Sequence, residues 1–302
     1  MFFYRKRKPG FKQRFGILNY ICGMVGESHK KHFIFNWTGA FALIGGMIGG
    51  TMLVSVFNTL SIFIFHKNFQ YEDYYLLIAN AAGFLGAILA FDYLVARPQT
   101  GRKLNFSLSR SNLGTYLLVF PMMFGMMLIA EFITGNIPIT GPFFGRYFDF
   151  FSKLMEQMTK DKATLIVLAV VMAPLFEEIV FRGIIQKGLI NKGMSPVKAI
   201  LLSSLVFGVV HGNPWQFVGA VLLGCVLGLV YYKTKSLLLP ILLHAFNNLC
   251  SALLIFYSNT ESFADAFKIS DWMLLIAGLL LFAGFGYLFI KKYRVLSADP
   301  TY

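Results

Sequence analysis

Long apolar runs, each near the length needed to cross a bilayer, constrain the fold of this chain more than any other feature. They cover about 38–65, 74–96, 113–134, 164–189, 197–212, 216–232, 236–257 and 272–290. A helix rises 1.5 Å per residue, so roughly 20 apolar residues span the hydrocarbon. Composition agrees: 57% of the 302 residues are hydrophobic and 14% are charged, against about a quarter charged in an ordinary soluble domain. Inside a bilayer every backbone polar group must be bonded within the protein, and single apolar runs achieve this as helices. The expected fold is all-α, a polytopic transmembrane bundle of about eight spans. The fifth and sixth runs are short and are parted only by Gly212-Asn213-Pro214-Trp215. They read as a tight helical hairpin whose turn sits at or below the far membrane surface.

The loops set the orientation. With the N-terminus inside, 20 of the 27 lysines and arginines fall on the cytoplasmic side, in residues 1–31, 97–110, 187–198, 233–235 and 291–294. The other side receives Lys67, Arg146, Lys153, Lys160, Lys162 and Lys268. The positive-inside rule then puts both termini in the cytoplasm. Residues 1–31 mix eight basic residues with Phe2, Phe3, Tyr4, Phe11 and Phe15. This basic arm lacks the compact apolar core of a signal peptide and suits anionic lipids of the inner leaflet. With so many spans behind it, it is not read as binding nucleic acid. Cys22, Cys225 and Cys250 are odd in number and lack metal-ligand spacing, so neither a disulfide framework nor a cysteine metal site is expected.

The loop from Gly141 to Met158 places Phe144, Tyr147, Phe148, Phe151 and Met155 at intervals of three and four. That pattern reads as an amphipathic helix lying on the outer interface, a structural collar first and a lid or substrate guide as the alternative. Gly45, Gly46, Gly49 and Gly50 in the first run, and Gly224 and Gly228 in the sixth, offer small faces for close helix packing within one bundle. Nothing here determines an oligomeric state.

Polar residues interrupt these runs where they are most expensive. Glu177 and Glu178 lie within 164–185, where Arg182 is the other charge. A carboxylate at the bilayer centre costs at least ~2.5–3.5 kcal/mol on insertion scales. Glu178 and Arg182 are four apart, share a helical face and can pair, whereas Glu177 points about 100° away. His211 ends the fifth run, with Phe207 four residues before it, and His244 and Asn248 stand four apart in the seventh. Counting helical rise from the cytoplasmic ends places Glu177 about 18 Å deep, His211 about 21 Å, His244 about 12 Å and Asn248 about 18 Å. Three helices thus deliver polar tips to similar depths. Pro174 and Pro240 precede the two polar sets by about a turn and are expected to kink their helices. Asp92 and Glu131, near span ends, are expected to snorkel or pair.

Glu177-Glu178-Ile179-Val180-Phe181-Arg182, Phe207-Gly208-Val209-Val210-His211 and His244-Ala245-Phe246-Asn247-Asn248 resemble, in order, the EExxxR, FxxxH and HxxxN motifs of the CPBP intramembrane endopeptidases (CAAX proteases and bacteriocin-processing relatives, the Abi family). The resemblance covers roughly residues 160–257, and the chain is read as an arm at 1–31, N-terminal spans and outer loop at 32–160, a catalytic core at 161–257, and a last span and tail at 258–302. It implies a glutamic-type endopeptidase without a cofactor. Glu177 with His211 would activate water, His244 and Asn248 would hold the oxyanion, Glu178 and Arg182 would brace the site, and Phe207 would line it. A zinc enzyme with Glu177, His211 and His244 as ligands is the alternative within the family. The substrate would be a membrane-embedded or membrane-associated peptide or protein, and the setting a bacterial plasma membrane. Two readings outside the family stay open on these residues: a proton- or ion-coupled transporter, and a non-catalytic membrane scaffold or regulator.

Overall fold

A computed structural model describes residues 32–293 apart from 160, 259 and 261. The basic arm 1–31 and the tail 294–302 lie outside the described residues. The helices are α1 (Trp37–Phe65), α2 (Tyr74–Thr100), α3 (Leu113–Gly135), α4 (Phe144–Thr159), α5 (Lys162–Asn191), α6 (Pro196–Val210), α7 (Pro214–Thr234), α8 (Leu238–Ser258), α9 (Phe263–Phe267) and α10 (Asp271–Lys292). Among the described residues there is no strand. Seven of these helices are long and apolar enough to cross a membrane, and the all-α, multi-pass reading holds. The remaining apolar run, the fifth, is α6, whose 15 residues amount to about 22 Å at 1.5 Å each, short of the ~30 Å hydrocarbon.

Local chemistry sets the helix ends. The side chains of Asn36, Asn112, Asp161, Asn213 and Ser270 each accept a backbone N–H of the first turn that follows, filling donors that no intrahelical carbonyl can reach. α6 ends on His211 and then on Gly212, which takes φ +71°, the left-handed conformation that a glycine adopts without steric penalty. Asn213 and Pro214 open α7 immediately afterwards. The expected hairpin is therefore present.

Close packing needs residues without side chains. A Cβ on Gly46 or Gly50 would collide with the backbone of Gly86 or Ala82 on α2, and one on Gly125 of α3 would collide with α10 backbone near Gly278 and Phe282. Gly45 and Gly49 do something different: they meet no neighbour within 4 Å. The glycine-rich face of the first span is thus split between a packed seam with α2 and an open side. The apolar core has two principal clusters. One gathers Phe91, Phe181, Ile184 and Phe207, and the other Met122, Met123, Leu227, Leu243 and Phe289. α7 serves both, giving Ala220 to the first and Val226, Leu227 and Val230 to the second. The polar residues sit where α5, α6, α7 and α8 meet.

α5 departs from regular geometry in two stretches. Ile166–Met172 and Ile179–Gln186 run with widened i→i+5 turns, seen in the Ala173 N–H to Leu168 and Lys187 N–H to Arg182 carbonyl bonds. Such π-type turns are frequent at functional sites. Pro174, which has no N–H to offer, follows the first of them. Pro240 behaves otherwise than expected. It is the third residue of α8, where an absent donor disturbs nothing, so it starts the helix instead of kinking it. Asp92 is paired: Arg97 donates to its Oδ2 from Nε and Nη2 at 2.8 and 2.7 Å, and the Leu104 N–H to its Oδ1 at 2.8 Å. Glu131 accepts from the Ser262 hydroxyl at 2.8 Å and the Ala264 N–H at 3.1 Å, tying α3 to the start of α9.

The helix order makes a topological prediction. Reporter fusions at 70, 150 and 265 should register on one side of the membrane and those at 105 and 193 on the other, the second group cytoplasmic by the positive-inside rule. Two or more reversed reporters would overturn the assignment.

Candidate active site

The site begins with a charge pair. Arg182 Nη1 donates to Glu178 Oε1 at 2.8 Å, and neither side chain has any exposed surface. The spacing of four read from the sequence thus produces the pair it suggested, at the start of the second widened stretch of α5. Arg182 also donates from Nη2 to the Gly224 carbonyl of α7 at 3.2 Å and stacks its guanidinium 4.6 Å from the centre of the Phe207 ring. One helical turn further, buried Gln186 donates to the Gly228 carbonyl at 2.9 Å. A Cβ on Gly224 would stand 3.1 Å from Arg182 Nη2, and one on Gly228 would stand 2.7 Å from Gln186 Oε1. The two glycines therefore let a polar ladder on α5 reach the α7 backbone. Gln186 was not singled out from the sequence. Its interval of four from Arg182 and eight from Glu178 was the available signal.

His244 joins both glutamates. Its Nδ1 lies 2.9 Å from Glu178 Oε1, and its Nε2 lies 3.8 Å from Glu177 Oε2. A carboxylate only accepts, so Nδ1 carries the proton shared with Glu178. Glu178 consequently serves Arg182 and His244 together, a double duty that helical spacing on α5 alone could not reveal. Glu177 points elsewhere, as expected, and its side chain retains 18% exposure. Both His244 and His211 lie within electrostatic reach of its carboxylate.

His211 is the last residue held by α6. Its Nδ1 lies 2.7 Å from the Phe207 carbonyl, which can only accept, so Nδ1 is protonated and Nε2 presents a lone pair. Phe207 is the common wall: its ring meets His211 edge-on at 4.8 Å, His244 at 5.6 Å and Phe181 at 5.0 Å, besides Arg182. Asn248 is held from two sides. Its Nδ2 donates to the Ala169 carbonyl of α5 at 2.7 Å, and its Oδ1 accepts from Asn247 Nδ2 at 2.9 Å. One amide hydrogen of Asn248 is thus engaged with backbone, leaving the second available as a donor.

For a metal, the Nε2 lone pair of His211, backed by a partner at Nδ1, is the kind of donor a metal-binding histidine presents, and His244 would offer the same from a neutral ring held at Nδ1 by Glu178. Among the described residues no three His, Cys, Asp or Glu side chains are gathered closely enough to hold an ion.

α4 meets the turn that follows His211. Its aromatic face surrounds Trp215, with ring centres of Phe144, Tyr147, Phe148 and Phe151 at 6.4, 6.2, 5.1 and 6.1 Å. The Tyr147 hydroxyl donates to the Gly212 carbonyl. The amphipathic pattern was legible in the sequence, but its partner on the hairpin turn was not.

Seven membrane-length helices, with two carboxylates, a guanidinium and two imidazoles brought together from α5, α6 and α8, define a multi-pass membrane protein with a polar site inside its bundle. Residues 159–250 match the family model described as Type II CAAX prenyl endopeptidase Rce1-like, and all three motifs fall inside that stretch. The resemblance to the CPBP endopeptidases is thereby shown for this segment. The match supports an intramembrane endopeptidase in general terms, acting on a protein or peptide in the membrane. No curated protein and no solved structure matches the chain.

Removing one member of a buried ion pair leaves the other charge uncompensated and typically costs about 3–5 kcal/mol. Glu178→Gln should therefore lower the melting temperature and yield in detergent, and Glu178→Gln combined with Arg182→Met should recover part of the loss. A stable single variant would contradict the bracing role.

Proposed function

We propose that this protein is a glutamic-type intramembrane endopeptidase that hydrolyses a peptide bond of a membrane-associated protein or peptide. The observation that carries this reading is the division of labour between adjacent carboxylates. Glu178 is committed to Arg182 and His244, while Glu177 keeps exposed surface and faces the free nitrogen of His244.

In this reading Glu177 accepts a proton from water as the oxygen attacks the scissile carbonyl carbon. His211 Nε2, a bare acceptor because Nδ1 is bonded to Phe207, takes the water's second hydrogen bond and aims the attacking lone pair. The carbonyl π electrons move to oxygen. The resulting oxyanion is met by His244 Nε2–H in the doubly protonated ring, with Glu178 as counter-ion, and by the second amide hydrogen of Asn248. Donors already held in place stabilise developing charge without reorganisation, and both side chains are held from behind, at Glu178 and Ala169. Collapse of the intermediate breaks the C–N bond, and the proton held by Glu177 passes to the departing amine. Phe207 walls the reacting groups, and Arg182 and Glu178 hold His244.

In this reading the water is activated by a carboxylate, so the site works without a resident metal, with zinc held by Glu177, His211 and His244 as the alternative. A substrate cut here lies in or against the bilayer as an extended strand. A bacterial plasma membrane is the proposed location, with the basic arm on anionic lipid.

Glu177→Gln preserves size but removes the base, so cleavage should collapse while insertion and thermal stability stay close to wild type. His211→Ala should match it, and the double variant should be no worse than either, because groups acting on one water are not additive. Quantitative proteomics of membranes from wild-type and Glu177→Gln cells should show an uncut peptide accumulating in the variant. Cleavage of that peptide should survive a strong chelator. Loss restored by zinc would replace this mechanism, and an active Glu177→Gln enzyme would end it.

A further inference from the structure

The turn that carries His211 is short and irregular, and the length of α6 places it beneath the far surface if α6 starts at the cytoplasmic one. α6 covers only about 22 Å before His211, and the chain reverses through Gly212, Asn213, Pro214 and Trp215. Backbone groups that leave a helix at this depth need protein partners. Asn213 supplies two, accepting from the Gln216 N–H at 2.8 Å and donating to the His211 carbonyl at 3.2 Å. The next carbonyl, that of Gly212, is taken by Tyr147 of α4. Trp215 is gripped by four α4 rings, and its Nε1 is buried without a hydrogen-bond partner. The indole is therefore held by ring packing, and it anchors an element that otherwise lies on the interface with Arg146, Asp149 and Lys153 facing outward.

We propose that Trp215 is a positioning residue: seated in the aromatic cage of α4, it fixes the turn that orients His211 and holds α4 as a closed cover over that end of the site. This rests on the assignment of His211 to water activation. Because α4 grips the turn itself, movement of the cover moves the imidazole. Water and substrate then reach Glu177 from elsewhere, and the cover stays shut through turnover.

The chain's three tryptophans allow a direct test, for Trp37 and Trp272 are 82% and 67% exposed and can be replaced. In the Trp37→Phe/Trp272→Phe protein in liposomes, Trp215 fluorescence should resist aqueous iodide. Adding Phe148→Ala and Phe151→Ala should open it to the quencher. In the same caged and uncaged proteins, kcat on a fluorogenic form of the peptide that accumulates in Glu177→Gln cells should fall by roughly 10–100-fold, the effect of an ångström-scale misplacement, with KM within about twofold. Trp215→Phe, which keeps a ring in the cage, should remain within about threefold of wild type. Unchanged quenching, or increased quenching with kcat preserved, or a change confined to KM, overturns the proposal. If the cage variants do not fold, Tyr147→Phe decides: a fall in kcat of about threefold or more supports the role, and a smaller change refutes it. An inactive Glu177→Gln enzyme beside an active wild type keeps the hydrolytic reading intact whichever way Trp215 behaves.

Discussion

A charged group in hydrocarbon has to be surrounded by partners, and the interior of this protein is arranged around that requirement. The Glu178–Arg182 pair has no exposed surface, so neither member can draw on water. Each needs further bonds in addition to the other. Arg182 finds the Gly224 carbonyl and the face of Phe207, and Glu178 finds the imidazole of His244. Those contacts bring α5, α6, α7 and α8 together at one point. A buried pair of this kind gives little net stability by itself, because desolvation offsets most of the attraction. What the pair's further bonds impose is register, since another alignment of the helices would take the Gly224 carbonyl from Arg182 and the His244 ring from Glu178.

That register depends in turn on missing side chains. Gly224 and Gly228 clear the way for Arg182 and Gln186 to reach the α7 backbone, and van der Waals contact across such seams is a main source of helix association in lipid. Gly46, Gly50 and Gly125 do the same for apolar seams farther from the site. The widened turns of α5 complete the arrangement by carrying Arg182 and Gln186 toward α7. Irregular backbone is tolerated here because the surrounding helices enclose it.

The two glutamates show how neighbouring residues of one type acquire different tasks. One position of rotation along α5 separates a carboxylate locked by a cation and an imidazole from one that retains exposure and faces a ring nitrogen. The first contributes orientation and counter-charge, and the second is free to exchange a proton. His244 links them, with one nitrogen on each side. His211 arrives from a different direction, at the end of a short helix whose turn is clasped by α4.

Periodicity and hydropathy alone determined the all-α membrane class, seven of the spans at close to their observed limits, the short hairpin and the amphipathic α4, because each follows from local composition and helical geometry. The Glu178–Arg182 pair was equally legible, since four residues is one helical turn. Other features needed the tertiary structure. That Glu178 also holds His244, that Asn248 binds the Ala169 carbonyl, and that Trp215 is the partner of α4 depend on contacts between residues tens of positions apart. No local pattern encodes which faces of two helices meet. Pro240 makes the same point from the other side: its sequence context suggested a kink, and the place where α8 begins made it a helix start. Residue type and spacing specified what chemistry the chain could carry into the bilayer, and helix packing decided which of those groups stand within reach of one another.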